Sequence, residues 1–573
     1  MGKGKRLAVC FFLLLILLQA SAQRTYPKNY FRSPIGFAIS LAGSFGELRK
    51  NHLHSGTDIR TEGVQGKPVY AAADGYVSRV NVSPGGFGKA LYITHPNGYV
   101  TVYGHLKSYV GSIAAWVKTE QYKNESFALD REVPEGLIKV RKGELVAYSG
   151  NSGASGGPHL HFEIRDARTQ EAINPLCFGL MPPDDIPPRI TALKVFPFDE
   201  TSMVNFAAKS ETIPVVLSGG KNILKTEDTI IVSGNIVFGI ETSDIGEGGM
   251  KTGVYSIALK VDGGLVFSQV MERFAFTETR YANALMDYET FVKGTRKIQR
   301  SYVAPNNKLS VYREVKNRGI LNFSDRRTHS VEYVVKDVFG NTTTLNFSVK
   351  SHLPASSRPR PTYTGAQLFT YKNDNHFERP GIRLDVPKEA LYEELAFEYE
   401  VTGQVAGYYA PVHHLHNHFT PLQTACTLAL KTINLPASMA DKAVIVQILP
   451  GNKHACVGGK FAGGFLTAQI REFGDYSVLI DDTPPVIRPV NIANNKKIGK
   501  QSALLIKISD NLSGIKTYRG MLNGKWILMD YDAKSNLLTY LFDDRLKKGK
   551  NDFTLIVADG VGNIARYKAV LIR

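Results

Sequence analysis

Residues 159–164 alternate strictly between polar and apolar side chains, and this pattern constrains the fold more than any other part of the chain. Leu160, Phe162 and Ile164 occupy every second position, which predicts a half-buried β-strand with these three side chains in a core. The polar side chains of the same strand share its opposite face: His159, His161 and Glu163. A His-x-His pair alone is weak evidence for a site, so the pattern needs partners elsewhere in the chain.

Two upstream segments supply such partners. His54 and Asp58 are four residues apart and would share one face of an extended chain, with Gly56 between them. A second alternating strand, residues 99–103, is followed by His105. Imidazole and carboxylate groups are both zinc ligands, and a catalytic zinc site typically has three protein ligands and a water molecule. Together these segments suggest a metal centre.

In chain order the three motifs are His-x-Gly-x-Asp, Tyr-x-His-Leu and His-x-His. Together they resemble the lysostaphin-type (LytM-like) zinc endopeptidases, which cut the peptide part of bacterial peptidoglycan. The resemblance covers roughly residues 35 to 180, and further segments that fit it are residues 67–77, 142–144, 150–153 and 173–175. It implies an antiparallel β-sheet peptidase domain and an exported zinc-dependent endopeptidase that hydrolyses peptidoglycan cross-links.

The resemblance also implies roles for individual residues. His54, Asp58 and His161 would bind one catalytic Zn²⁺ ion, while His105 and His159 would assist the attacking water and the transition state. How the two histidines divide these tasks stays open. An alternative function is a non-catalytic or gated LytM-like regulator that binds and activates another cell-wall hydrolase. Such regulators are expected to have lost ligand residues, and all five residues are present here.

Residues 107–140 depart from the simplest members of the family, in which a short loop joins the corresponding strands. We expect this insertion to border the groove, where it would act as a lid or shape substrate choice, or to be a tolerated surface insertion. Glu163 is expected to support the site or to pair with Arg165. His52 and His95 lie outside the motifs and are left out of the site.

Residues 1–22 have the pattern of a signal peptide. Three basic residues precede an apolar run over residues 7–18, and a small-residue Ala-x-Ala sequence ends at Ala22. The pattern predicts cleavage before Gln23 and export to the periplasm, the cell envelope or the medium. No later segment has a long apolar run, so no transmembrane segment is expected after removal of the leader.

The chain has a formal net charge of +17, which favours attraction to anionic envelope polymers. There is no compact Lys/Arg stripe and no nucleic-acid motif, so a nucleic-acid partner is not expected. Apart from the leader the chain has three cysteines, Cys177, Cys426 and Cys456, too few for a disulfide framework. Whether Cys426 and Cys456 pair stays open.

An internal repeat divides the rest of the chain. An Asp-Asp-x-Pro-Pro sequence opens at residues 184 and 481, and an Asp-x-x-Gly-Asn turn closes each unit at residues 337–341 and 559–563. Short alternating strands between such turns are typical of antiparallel sandwiches. The expected fold is therefore mainly β, with a LytM-like zinc peptidase domain followed by several sandwiches. The predicted divisions are a peptidase domain (23–183), an Ig-like sandwich (184–352), a linker (353–365), a β-rich domain (366–480) and a second Ig-like sandwich (481–573).

Two other features of the sequence contain metal-ligand side chains. The Asp and Asn residues of the repeated turns are calcium-type ligands, but such residues more often satisfy the backbone of their own turn. Residues 413–418 contain four histidines, yet no carboxylate follows at ligand spacing, so a packed or solvated strand is favoured. The sandwiches contain no binding motif, which leaves an accessory role in wall binding or an envelope protein partner open.

Overall fold

A computed structural model of the chain describes residues 25–181, 184–226, 229–246, 249–294, 296–353 and 366–573. The predicted leader and all but the first residue of the predicted linker lie outside these residues. Strands dominate the described part, which confirms the mainly β fold. None of the helices described there is long and apolar enough to cross a membrane.

The first group of strands surrounds the three motifs. Strands β1 to β14 are, in order, Leu41–Gly43, Leu48–Arg49, His52–Leu53, Thr57–Arg60, Pro68–Tyr70, Gly75–Val82, Lys89–Thr94, Tyr99–Gly104, Ser108–Tyr109, Leu129–Glu132, Lys139–Val140, Leu145–Tyr148, His159–Asp166 and Ala172–Ile173. The main sheet has the order β1-β4-β13-β8-β7-β6-β10, and β5-β12-β9 form a smaller sheet. Helix α1 is Gly111–Lys123, and a 3₁₀ helix follows at Pro175–Phe178.

Strand β13 lies inside the main sheet and is antiparallel to both of its neighbours, β4 and β8. Its apolar side chains, Leu160, Phe162 and Ile164, are fully buried in the core of this group, as the alternation predicts. The polar face is also largely enclosed, since His161 and Glu163 are buried. The alternation therefore locates both the core and the strand that carries the polar cluster.

The insertion, residues 107–140, is ordered by pairing with this sheet. It contains β9, α1, β10 and β11, and both β10 and β11 pair with β6. Strands β8, β7 and β6 separate β10 from β13. Strand β10 is the edge strand of the sheet on the side away from β4, so the expectation that the insertion borders the groove is wrong for β10 and stays a prediction for the rest of the insertion.

The second group contains the first repeat unit. Strands β15 to β28 are Arg189–Pro197, Met203–Val204, Glu211–Ser218, Lys221–Leu224, Ile230–Ile245, Lys251–Thr252, Ser256–Val261, Gly264–Val270, Arg273–Phe274, Ile298–Arg300, Tyr312–Val315, Leu321–Phe323, Thr328–Lys336 and Thr342–His352. Helices α2 and α3 are Ala282–Leu285 and Tyr288–Val292, with 3₁₀ turns at Phe276–Tyr281 and Asn317–Gly319. These helices share a core cluster with Phe45 and Leu53 of the first group, and β14 pairs with β23. The second group is thus packed directly against the first.

The third and fourth groups are each built from two main facing sheets. Strands β29 to β40 are Gln367–Phe369, Asn375–Arg379, Ile382–Val386, Leu395–Phe397, Tyr399–Thr402, Val412–Leu415, Pro421–Lys431, Ala443–Leu449, Lys453–Gly458, Lys460–Ala462, Phe465–Glu472 and Gly474–Ile480, with a 3₁₀ helix at Ala437–Lys442. Strands β41 to β49 are Val486–Pro489, Lys496–Lys497, Ala503–Ser509, Ile515–Leu522, Lys525–Trp526, Asp530–Asp532, Leu537–Leu541, Lys550–Asp559 and Ile564–Ile572. In each group one core cluster takes side chains from both main sheets, which is sandwich packing.

All three described cysteines are free. Cys426 is fully buried in the core of the third group, where burial raises the pKa of its thiol to about 12. It therefore behaves as a small apolar side chain. Cys426 and Cys456 do not form the disulfide that the sequence left open.

Candidate metal centre

Strand register brings the three motifs together. Asp58 on β4 is directly opposite His161 on β13, and on the other side His161 is opposite Gly104, the residue before His105. A Cβ atom at Gly56 would lie 2.5 Å from the Phe162 carbonyl oxygen and 2.8 Å from Glu163 Cγ. Only glycine fits there, so the segment from His54 to Asp58 can run close against β13.

Three side-chain atoms converge at this point. His54 Nε2 lies 3.0 Å from Asp58 Oδ1 and 3.0 Å from His161 Nδ1. His161 Nδ1 lies 2.9 Å from Asp58 Oδ1. All three residues are buried. The arrangement forms a compact two-nitrogen, one-oxygen group that could hold a metal ion.

Hydrogen bonds to the outer ring nitrogens fix the tautomers of the two imidazoles. His54 Nδ1 lies 2.7 Å from the Ser44 carbonyl oxygen, and His161 Nε2 lies 2.9 Å from Glu163 Oε1. Because a carbonyl and a carboxylate can only accept, both outer nitrogens carry the hydrogen. His54 Nε2 and, in the neutral ring, His161 Nδ1 then each carry a free lone pair, and the two nitrogens face each other across the cluster. This donor set, with its supporting acceptors, fits a zinc ion.

Burial and neighbouring charges shift the pKa values of the residues in the cluster. Burial would raise the pKa of Asp58, but the imidazoles of His159, His161 and His54 outweigh it and hold that pKa well below its usual range. Burial lowers the pKa of His54 to about 4. Burial also opposes protonation of His161, yet its hydrogen bonds to Asp58 and Glu163 raise its pKa to about 9. Arg49 adds a cation 2.6 Å from Asp58 Oδ2.

His159 presents an unpaired nitrogen to the same cluster. Its Nδ1–H donates to the Gly157 carbonyl oxygen over 2.8 Å, which leaves Nε2 as the acceptor of the neutral ring. This Nε2 is buried without a hydrogen-bond partner and lies 3.3 Å from Asp58 Oδ1. A buried acceptor at this position could bind a water or another ligand next to the cluster.

His105 completes the group at the end of β8. Its backbone has φ of +57°, a conformation that few residues other than glycine adopt. Its Nδ1–H donates to the Ser152 carbonyl oxygen over 2.9 Å, and its ring centroid lies 4.8 Å from that of His159. Burial lowers its pKa to about 3, so the ring is neutral above that pH. Strained backbone that aims a neutral imidazole at the cluster is common at functional sites.

Several contacting residues were not found from the sequence. Arg49 and Ser44 belong to the segment before β4, and the Phe87 ring stacks on His161 with centroids 5.0 Å apart. Nothing in their spacing points to the cluster, because each of them reaches it only through the tertiary folding of the chain. The expected pairing of Glu163 with Arg165 is present at 2.6 Å.

His52, His95 and the histidines of residues 413–418 lie apart from the cluster. His52 is exposed, while His95 is buried and bridges the Asp74 carbonyl and Thr101 Oγ1 over 2.8 Å each. In the segment 413–418, His413 is fully buried and His414 contacts Asp475. None of these four histidines belongs to the two clusters of possible metal ligands that the described residues contain.

Two family models match the chain. Residues 52–122 match Peptidase family M23, and residues 366–481 match a Zu5-like domain. His159 and His161 lie beyond the first match, although β13 joins them to its strands.

Curated relatives match the same part of the chain. An uncharacterized metalloprotease of Haemophilus influenzae is 33% identical over 162 residues, 27% of this chain and 28% of its own length. The DD-carboxypeptidase/endopeptidase Mpg of Neisseria meningitidis is 32% identical over 152 residues, 26% of this chain and 27% of its own length. The peptidoglycan DD-endopeptidase ShyC of Vibrio cholerae is 29% identical over 147 residues, 25% of this chain and 28% of its own length. The chain thus spans less than a third of each relative's length.

Proposed function

Because this chain contains a Peptidase family M23 domain, we propose that it is an exported zinc-dependent endopeptidase that hydrolyses peptide cross-links of bacterial peptidoglycan. The observation that carries the proposal is the buried cluster of His54, Asp58 and His161, whose lone pairs converge within 3.0 Å. Support comes from the relatives named as peptidoglycan endopeptidases, which match this domain.

We assign the metal ligands to His54 Nε2, Asp58 Oδ1 and His161 Nδ1. A zinc ion held there would lower the pKa of a bound water and polarise the scissile carbonyl. Glu163 accepts the hydrogen of His161 Nε2 and keeps Nδ1 directed at the ligand position. Ser44 does the same for His54 through its carbonyl oxygen.

We assign proton transfer to His159 and His105. Both rings donate Nδ1–H to a backbone carbonyl, so each presents Nε2 as an acceptor in the neutral form. Either nitrogen can take the proton of the attacking water and return it to the leaving amine, a role that typically contributes a factor of about 10² to 10⁴ in rate. Once protonated, the same nitrogen can donate to the oxyanion.

The wider assignments are proposals of the same kind. Export rests on the sequence of residues 1–22, and the charge of +17 favours an anionic wall substrate. We keep the predicted division into a peptidase domain, two Ig-like sandwiches and the β-rich domain at 366–480. The sandwich domains are the candidates for contact with the wall or with another envelope protein.

The test compares the purified protein with its His161→Ala variant, and uses His52→Ala as the matched control. Bound zinc is measured by elemental analysis, and muropeptides released from isolated cell walls are followed by chromatography. We expect near-stoichiometric zinc and cleavage in the protein and in the His52→Ala variant, and the loss of both in His161→Ala. Zinc retention without cleavage in the unmutated protein would contradict the peptidase and favour a gated or regulatory LytM-like role. Absence of zinc after reconstitution would contradict the metal centre itself.

A further inference from the structure

A second carboxylate cluster lies far from the peptidase motifs, at the junction of the third and fourth groups. Asp481 follows β40, Asp510 follows β43, and Asp559 ends β48. Oxygen atoms of the three side chains lie within 4.8 Å of one another. Asp481 and Asp559 are almost completely buried, with 1% and 0% of their surface exposed. Within the described part of the chain, none of the three carboxylates forms an ion pair with a basic side chain.

Backbone groups fix one side of each carboxylate. Asp481 Oδ2 accepts the Ser513 amide over 3.0 Å, and Asp510 Oδ2 accepts the Gly514 amide over 2.8 Å. Asp559 Oδ1 accepts the Asn563 amide over 2.8 Å. These bonds orient the side chains before any ligand arrives.

The opposite oxygens of two of these residues have no partner. Asp481 Oδ1 and Asp510 Oδ1 are both buried without a hydrogen bond. Leaving buried carboxylate oxygens unpaired next to a third carboxylate is costly, because desolvation and like-charge repulsion act together. A bound cation would remove both costs.

We propose that Asp481, Asp510 and Asp559 bind a calcium ion at this junction. The ligand set is entirely oxygen and anionic, which suits a hard divalent cation and not zinc or copper. Calcium fits better than magnesium because its flexible coordination tolerates carboxylates whose other oxygens are already committed to the backbone. Magnesium demands a near-ideal octahedron.

The first repeat shares the turn but not the cluster. Asn563 Nδ2 donates to the Asp481 carbonyl over 2.8 Å and to Asp559 Oδ2 over 2.7 Å. Asn341 makes the same pair of bonds to Asp184 and Asp337, over 2.7 Å each. The turn bonds expected from the sequence are therefore present in both repeats. Of the two repeats, however, only the second brings three carboxylates together as a possible metal site among the described residues.

The position of this site gives the ion a structural role. Asp481 begins the fourth group, while its amide donates to the Lys442 carbonyl of the third over 2.9 Å. Lys442 Nζ in turn donates to the Val561 carbonyl over 3.0 Å. A calcium ion would tie the loop after β43 and the turn after β48 to this junction, and so fix how the fourth group sits on the third.

The experiment is calcium titration of the full-length, zinc-loaded protein after exhaustive dialysis into calcium-free buffer. Isothermal titration calorimetry gives the stoichiometry, and the melting temperature is followed with calcium because a ligand that binds only the folded state raises it. We expect one calcium ion per chain and at least tenfold weaker affinity in Asp510→Asn. Asp244→Asn, the matched change in the first repeat, should bind calcium as the unmutated protein does.

Three results would overturn the proposal. The first is no calcium binding by the unmutated protein at millimolar concentration, which needs no variant and so does not depend on the folding of one. The second is equal affinity in Asp510→Asn, and the third is tighter binding of magnesium than of calcium. Zinc content and wall cleavage are measured on the same samples, so a failure here is distinct from a failure of the peptidase assignment.

Discussion

Glu163 connects the proposed metal ligand His161 to a buried ion pair. Its Oε1 accepts the His161 Nε2–H over 2.9 Å and the Ser55 hydroxyl over 2.5 Å, while Oε2 contacts Arg165 at 2.6 Å. Burial would raise the pKa of Glu163, but Arg165 and His161 outweigh it and lower that pKa to about 2. A full negative charge therefore stays behind the imidazole, where it orients the ring and increases its basicity.

We predict that Glu163→Gln weakens zinc binding by about 10- to 100-fold. The amide keeps the shape of the side chain but removes the charge that supports His161. Zinc affinity is measured by competition with a chromogenic chelator, and the melting temperature is recorded because Arg165 would lose its buried partner. Ser55→Ala is the matched control, since it removes one hydrogen bond to the same oxygen and leaves the charge. Equal zinc affinity in Glu163→Gln and Ser55→Ala would contradict the prediction.

At the residue scale the sequence is informative wherever spacing alone decides proximity. His54 and Asp58 share a short extended segment, and His159 and His161 share a strand face, so each pair is readable locally. Arg49, on the short strand β2, and Phe87, in the loop before β7, reach the cluster only in the folded chain. Their contacts depend on tertiary structure, and no local pattern encodes them.

At the scale of elements, alternation identifies strands but not their neighbours. The pattern over residues 159–164 correctly predicts β13 and its buried face. The insertion at 107–140 shows what alternation cannot predict. Residues 129–132 pair with residues 79–82 at the far edge of the sheet, and nothing in the composition of the insertion indicates this partner. Pairing partners depend on the arrangement of the whole sheet. An inserted segment can therefore be recognised in the sequence although its position in the sheet cannot be predicted.

The end of β19 carries a carboxyl group whose titration can be measured. Burial raises the pKa of Asp244 from 3.8 to about 7, and the nearby charges of Asp337 and Asp184 act in the same direction. Between these two pH values the folded state keeps a proton that the unfolded state has lost. The contribution of Asp244 to the free energy of unfolding therefore falls as pH rises from about 4 to about 7.

We predict that Asp244→Asn raises the melting temperature relative to the unmutated protein at pH 8 more than at pH 5. The amide cannot ionise, so the variant avoids the burial of a charge at the higher pH. Both proteins are melted in calcium-free buffer at the two pH values, and Asp185→Asn, a change of an exposed Asp in the same group, serves as the control. The prediction fails if the difference between variant and parent is the same at pH 5 and pH 8.

At the scale of the whole molecule, the fourth group packs on the insertion of the peptidase domain. Tyr122 on α1 donates its hydroxyl to Asp543, and its ring meets the Trp526 ring edge-on with centroids 5.2 Å apart. Lys534 Nζ donates to the Ser155 carbonyl over 3.2 Å, in the glycine-rich loop before β13. These contacts join residues more than 370 positions apart in sequence, which no motif or repeat could predict.

We predict that Tyr122→Phe loosens this interface without disturbing the peptidase core. The variant keeps the ring against Trp526 but leaves Asp543 without the hydroxyl, and a hydrogen bond to a charged group contributes about 1.5 to 3 kcal/mol. Local opening of α1 should then become roughly tenfold more frequent or greater, which amide hydrogen exchange followed by mass spectrometry measures directly. Tyr148→Phe is the control, since within the described residues the Tyr148 hydroxyl has no hydrogen-bond partner. Equal exchange rates of α1 in the two variants would show that the hydroxyl does not hold the fourth group to the insertion. Faster exchange in Tyr122→Phe alone would show that the insertion is a docking element for the fourth group. That role would explain why the insertion is folded at the far edge of the sheet.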